Sequence, residues 1–185
     1  MARVTLVDDD ARPDLAQAVS RIRGARGGRL INVYRLLLNS PSIASAWVDF
    51  NSAVRLGSHI EPAVREIAII RIAILTRTEY VFRAHVPGYA KDAGLSDAQI
   101  DGLFDWPASA AFSDRERAVL GYVDAVTRDI EVPDAVFDAL RRYFGEGEIV
   151  ELTVLAGAYN MQCRVLRALK IDPEPGWDLA AARWR

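Results

Sequence analysis

The chain has 185 residues, 51% of them apolar, a net charge of −2 and a pI of about 5.7. That is enough apolar material for a sizeable core in one domain, and it leaves no basic block for a phosphate backbone, so nucleic acid is not an expected partner. The lone cysteine, Cys163, excludes an internal disulfide, a metal site built on paired cysteines and a CxxC redox centre.

Apolar residues recur every three to four positions rather than every two, which predicts an all-α fold. Residues 1–12, MARVTLVDDDAR, read as a charged arm without a period. Pro13 opens a helix with Leu15, Ala18, Val19 and Ile22 on one face, and Gly27-Gly28 ends it. LINVYRLLL, residues 30–38, is a short apolar helix. Ser40-Pro41 starts the next, with Pro at its first position, a face of Ile43, Ala46, Trp47, Phe50 and Val54, and Gly57 as a left-handed stop.

Glu61-Pro62 starts the central helix, which carries the most apolar run of the chain, Ile67 to Leu75, broken only by Arg71. Thr76-Arg77-Thr78-Glu79 has the form of a capping box and predicts a new helix start at Thr76. This boundary matters for chemistry. In one straight helix Glu66 and His85 would stand about 28 Å apart, at ~1.5 Å per residue. A break at Thr76 lets the two helices fold back, and the carboxylate and imidazole then arrive at the same level. Pro87, inside the second helix, removes the bond to the Arg83 carbonyl and predicts a kink two residues after His85.

Gly94 stops that helix. Ser96 caps a short helix that ends near Trp106, and Ser113-Asp114-Arg115-Glu116 opens another with Val119, Leu120, Val123 and Val126. Pro133 starts DAVFDALRRYF, and a long apolar helix runs from Glu148 to Leu169, interrupted by Tyr159, Asn160 and Arg164. Polar groups on such a helix need partners, in a cavity or an interface. Residues 13–172 thus read as a single all-α domain, and residues 173–185 as a tail.

Candidate chemistry centres on Glu66 and His85. A buried carboxylate beside an imidazole, which titrates near neutrality, suits proton transfer. The bland alternatives are a solvated or Arg71-paired Glu66 and a packed His85. Tyr80, Phe82 and Tyr89 surround His85 in sequence and are the candidate substrate-binding residues, with aromatic packing as the alternative. Two histidines and scattered acids form no metal-ligand motif, and glycine-rich nucleotide patterns are absent, so neither a metal nor a cofactor is expected. The segment MARVTLVDDDARP lacks the apolar run of a signal peptide. Arg71 keeps the longest apolar stretch below the ~18 residues of a membrane span. With the lone cysteine, these predict a cytoplasmic protein without a membrane partner.

The stretch REIAIIRIAILTRTEYVFRAHVPGYAKDAGLS resembles the carboxymuconolactone decarboxylase/alkylhydroperoxidase-D-like (AhpD-like) superfamily. FSDRERAVLGYVDAVT and LAGAYNMQCRVLRAL extend the resemblance to roughly Gly28 to Ile171. It implies an AhpD-like multi-helix fold, obligate homo-oligomers, often trimers or hexamers, and a site between helices near the subunit interface. In peroxidase members a glutamate, a CxxC pair and a histidine form a proton relay. Here Glu66 and His85 match the relay residues, but the cysteine positions hold Thr78 and Val81, which places the chain in a cysteine-less branch without thiol peroxidase chemistry. In a branch carrying tyrosine-glutamate-tryptophan, Tyr80 matches while Val81 and Phe82 replace the other two.

The function expected from these residues and this resemblance is a cofactor-free acid/base enzyme, of decarboxylase, lyase or hydrolase type, on a small organic acid or lactone. The alternative is a non-catalytic oligomeric module that binds a small ligand or partner. Oligomers are also expected from the amount of apolar helix, including Leu36, Leu37, Trp47 and the run to Leu75.

Overall fold

A helix that is apolar on every side has to be surrounded, and Pro62–Leu75 (α4) is such a helix. Ile67, Ala68, Ile69, Ile70, Ile72 and Ala73 are all fully buried. Pro62 at its first position and the absence of a glycine set its start and continuity. The computed structural model describes residues 1–8 and 12–177; part of the predicted arm and the sequence DLAAARWR, assigned above to the tail, lie outside the described residues. Among the described residues the regular elements are all helical.

Among the described residues the chain divides into two units, one holding Ser58–Arg164 and the other Met1–Gly57 with residues 165–177. In the larger unit α4 packs against Glu79–His85 (α5) and Asp114–Arg128 (α7). Asp97–Gly102 (α6) and Asp134–Arg141 (α8) complete its short elements, and Glu146–Ala168 (α9) is the longest helix. One core cluster gathers Ile67, Ile70, Ala90, Leu95, Ile100, Leu103, Phe112 and Leu120. Arg71, the charge inside the apolar run, is satisfied by a bidentate pair with Asp124 of α7 at 2.6 and 2.7 Å and by the Leu103 carbonyl at 2.7 Å. Arg71 is therefore not the partner of Glu66.

The other unit holds Ala16–Ala25 (α1), preceded by the tight turn Pro13–Leu15, with Asn32–Leu37 (α2) and Pro41–Leu56 (α3). Its N-terminal segment is tied down: the Arg3 amide donates to the Leu169 carbonyl and the Val7 amide to the Arg35 carbonyl.

Several boundaries differ from the sequence expectation. Ser96 and Ser113 form both halves of their capping boxes, but Thr76 does not. Its hydroxyl donates back to the Ile72 carbonyl at 2.7 Å, so it closes α4. Arg77 turns left-handed at φ 52, and α5 begins at Glu79 after Thr78. The α3 face is rotated: Ala44, Trp47, Val48, Asn51 and Val54 are buried, whereas Ile43 and Phe50 are exposed. Gly57 ends α3 in the right-handed region, at φ −96, not as a left-handed stop. The Pro87 irregularity takes the form of a π-helical turn, Val86–Ala90, which absorbs the missing amide by widening the ring. The long helix starts at Glu146, two residues early, because Glu148 Oε2 accepts from the Gly145 amide. Leu36, Leu37 and Trp47, counted above as surplus apolar surface, are buried within the protomer.

Candidate active site

The break between α4 and α5 does what the spacing requires. Glu66, one turn into α4, and His85, the last residue of α5, meet: His85 Nδ1 lies 2.6 Å from Glu66 Oε2. Both are buried, Glu66 completely. An isolated carboxylate at that depth would be costly, and the imidazole is what satisfies it. Arg65 Nε, 3.5 Å from Glu66 Oε1, adds a weaker positive neighbour. With Glu66 ionised, the carboxylate can only accept, and the imidazole proton then sits on Nδ1 with the Nε2 lone pair turned away from Glu66.

Nε2 faces a residue whose role the sequence left open. Tyr159 of α9, 1% exposed, places its hydroxyl 3.3 Å from His85 Nε2, and its ring stands edge-on to the imidazole at 5.5 Å. Carboxylate, imidazole and phenol thus form a continuous chain drawn from α4, α5 and α9. The only sequence signal for Tyr159 was its polarity within an apolar helix; 74 residues separate it from His85.

The other two polar residues of α9 serve different ends. Asn160 Nδ2 donates to Thr127 Oγ1 of α7 and to the Ala156 carbonyl, both at 3.0 Å. Arg164 Nη1 donates to the Asn160 side chain at 2.6 Å.

The three aromatic candidates separate. Tyr89, on the π-turn, is exposed, and its ring centroid lies 5.2 Å from that of His85. Tyr80 is 7% exposed. Phe82 packs against the core cluster and stacks at a tilt on Phe104 at 5.7 Å. Of the two positions that the resemblance matches to the CxxC pair, Val81 is buried and Thr78 is buried with its hydroxyl 2.9 Å from that of Thr76. Cys163 is next to these hydroxyls. Burial pushes its thiol up, and hydrogen bonds with Thr76 and Thr78 offset only part of that. Among the described residues no group of three His, Cys, Asp or Glu is placed to hold a metal ion.

Comparison with known proteins gives the family and the fold. The Carboxymuconolactone decarboxylase family matches residues 41–125. YnjA of Escherichia coli, an uncharacterized protein, is 33% identical over 151 residues, 80% of this chain and 76% of YnjA. This chain belongs to the carboxymuconolactone decarboxylase family. A crystal structure from Agrobacterium tumefaciens, of a protein of unknown function proposed as an antioxidant-defence AhpD, is 30% identical. It covers 75% of this chain and 94% of its own, with a TM-score of 0.70. A peroxidase-related protein from Ralstonia eutropha with an alkylhydroperoxidase AhpD core shares the fold, with a TM-score of 0.79 over 94% of this chain and 93% of its own at 18% identity. The fold is therefore AhpD-like.

Proposed function

We propose that the protein is a cofactor-free acid/base enzyme of the lyase type, acting on a small carboxylate or lactone in the cytoplasm. The observation that carries the reading is the buried chain Glu66–His85–Tyr159, with 2.6 Å at one joint and 3.3 Å at the other. Glu66 fixes the tautomer of His85 and stabilises the imidazolium. Nε2 then exchanges a proton with Tyr159 or with the substrate. In a decarboxylation the bond to the carboxyl carbon breaks, CO₂ leaves, and its electron pair passes into a conjugated carbonyl of the substrate. Tyr159 gives its proton to the resulting carbanion and recovers one through His85, drawn finally from water. Isomerisation or hydrolysis of a lactone would use the same two groups.

Two features support proton chemistry over thiol chemistry: Thr78 and Val81 cannot form a thiolate, and Cys163 is buried with a raised pKa. One observation favours the competing reading, a helical module that binds a small ligand or partner without turnover. Val81 and Phe82 are committed to packing and offer no second carboxylate.

The test is a panel of small lactones and unsaturated acids, with CO₂ release and absorbance followed together. Turnover by the wild type should fall about 10²–10⁴-fold in His85→Ala, the range of a positioned general acid/base. Glu66→Gln should also lose activity, and the double variant should lose far less than the product of the two singles, because the pair acts as a unit. Tyr159→Phe should lower kcat. Binding without turnover across the panel would favour the module, and turnover retained in His85→Ala would end the relay reading.

A further inference from the structure

Both groups that would exchange a proton with a substrate are buried: His85 is 4% exposed and Tyr159 1%. A general acid/base enclosed in this way needs a neighbouring part that moves before a substrate can reach it. Tyr89 is placed to be that part. Its ring centroid lies 5.2 Å from that of His85, with the planes tilted by 44°, a separation at which aromatic rings are in contact. Tyr159 stands against the same imidazole from inside the core. Tyr89, in contrast, is 37% exposed. Of the two tyrosines it is the one that lies between the imidazole and solvent.

The setting of Tyr89 lets its side chain move while its backbone stays. It belongs to the π-helical turn Val86–Ala90, and single π turns occur frequently at functional positions. Behind Tyr89 the turn is anchored. The Ala93 amide donates to the Tyr89 carbonyl and the Leu95 amide to the Ala90 carbonyl, both at 2.9 Å, and Ala90 is fully buried in the core cluster. Ahead of Tyr89 the turn is open. Pro87 and Gly88 are exposed, Pro87 has no amide to donate, and no atom lies within 4 Å of where a Gly88 Cβ would be. Rotation of an exposed side chain about its Cα–Cβ bond is fast and needs no displacement of the backbone.

We infer that Tyr89 is the movable cover of His85. Closed, its ring shields the imidazole from water, and the low dielectric strengthens the Glu66–His85 hydrogen bond. Rotated outward, it admits the substrate, and the space its ring vacates limits the size of what fits. Tyr89 exchanges no proton in this scheme and acts on access alone. The inference rests on the proposed function for what enters, a small carboxylate or lactone, but not for the cover itself.

Chemical labelling of His85 tests the cover without a substrate. Diethyl pyrocarbonate acylates an unprotonated imidazole nitrogen, and mass spectrometry separates the two histidines of the chain. Apparent reactivity falls with the fraction of molecules that are open. At about pH 7 native His85 should therefore react at least ~10-fold more slowly than in the urea-unfolded chain. Tyr89→Ala should raise the native rate about tenfold, whereas Tyr89→Phe, which keeps the ring, should keep the protection. Exposed His59 should label alike in all variants. Buried Cys163 should stay slow toward iodoacetamide, which shows that the fold is intact. Tyr89→Trp enlarges the cover and should slow labelling further, a result that does not depend on the alanine variant. On the panel of acids and lactones, Tyr89→Ala should turn over bulkier members than the wild type accepts.

Native His85 that labels as fast as in the unfolded chain would overturn the inference. So would a His85 rate unchanged by Tyr89→Ala, or an unchanged size limit among substrates that are turned over. Either labelling result would leave the proposed function standing if His85→Ala still lost turnover. A panel without any turnover would instead favour the ligand-binding module, and the labelling alone would then decide the cover.

Discussion

At the scale of single residues, burial decides which polar groups remain available for chemistry. Glu66 and Arg71 lie on the same apolar helix and were plausible partners. Each instead has a dedicated one, His85 for Glu66 and Asp124 for Arg71. Cys163 shows the opposite outcome. It is fully buried, and desolvation raises its thiol pKa. A thiolate is the reactive form, so the native protein should react with iodoacetamide at about pH 8 at least ~10-fold more slowly than the urea-unfolded chain. Rapid alkylation of Cys163 in the folded state would show that the thiol is accessible and ionised, and would reopen thiol chemistry.

At the scale of elements, the sequence was read correctly where the signal was local and wrongly where a neighbour competed. Ser113 and Glu116 are sequence neighbours and satisfy each other, so the start of α7 was visible from four letters. Thr76 carries the same signature but sits at the end of a helix whose last carbonyls lack donors, and its hydroxyl donates backward to the Ile72 carbonyl. The α3 face shifted for a related reason. Periodicity located a stripe, but Ala44, Val48 and Asn51, which are small or polar, fill it in place of Ile43 and Phe50. Another interelement tie, His59 to Glu151 of α9 at 2.9 Å, carried no motif at all. The hydrogen bond to Glu151 raises the His59 pKa above 6.5, and the same bond lowers that of Glu151 below 4.5. A raised histidine pKa stabilises the fold below 6.5 and loses its effect as pH rises through the folded value. A lowered carboxylate pKa stabilises above 4.5 and fails as pH falls through its folded value. The loss of thermal midpoint in Glu151→Gln should therefore be greatest between pH 4.5 and 6.5 and should shrink in alkaline buffer. His59 is exposed and Glu151 only partly covered, so the effect should be small. A difference that grows with rising pH would contradict the assignment.

At the scale of the whole molecule, the functional reading depends on two helices adjacent in sequence, α4 and α5, and on a third, α9, far from them. The α4–α5 hairpin was legible because Glu66 and His85 sit at nearly equal distances on either side of the break, and moving that break by two residues left the pairing intact. Tyr159 was not legible as part of the site, since a packing partner 74 residues away leaves no periodic trace. The site is thus a short-range motif completed by a long-range contact, in which three groups share one hydrogen-bonded chain. Imidazole ¹⁵N NMR across a pH titration tests this most directly. The chain has two histidines, so His85→Ala assigns both signals. His85 should carry its proton on Nδ1 with Nε2 as the acceptor, Glu66→Gln should displace its titration, and Tyr159→Phe should shift the Nε2 resonance. A His85 that titrates like a free imidazole, or that is unmoved by both substitutions, would contradict it.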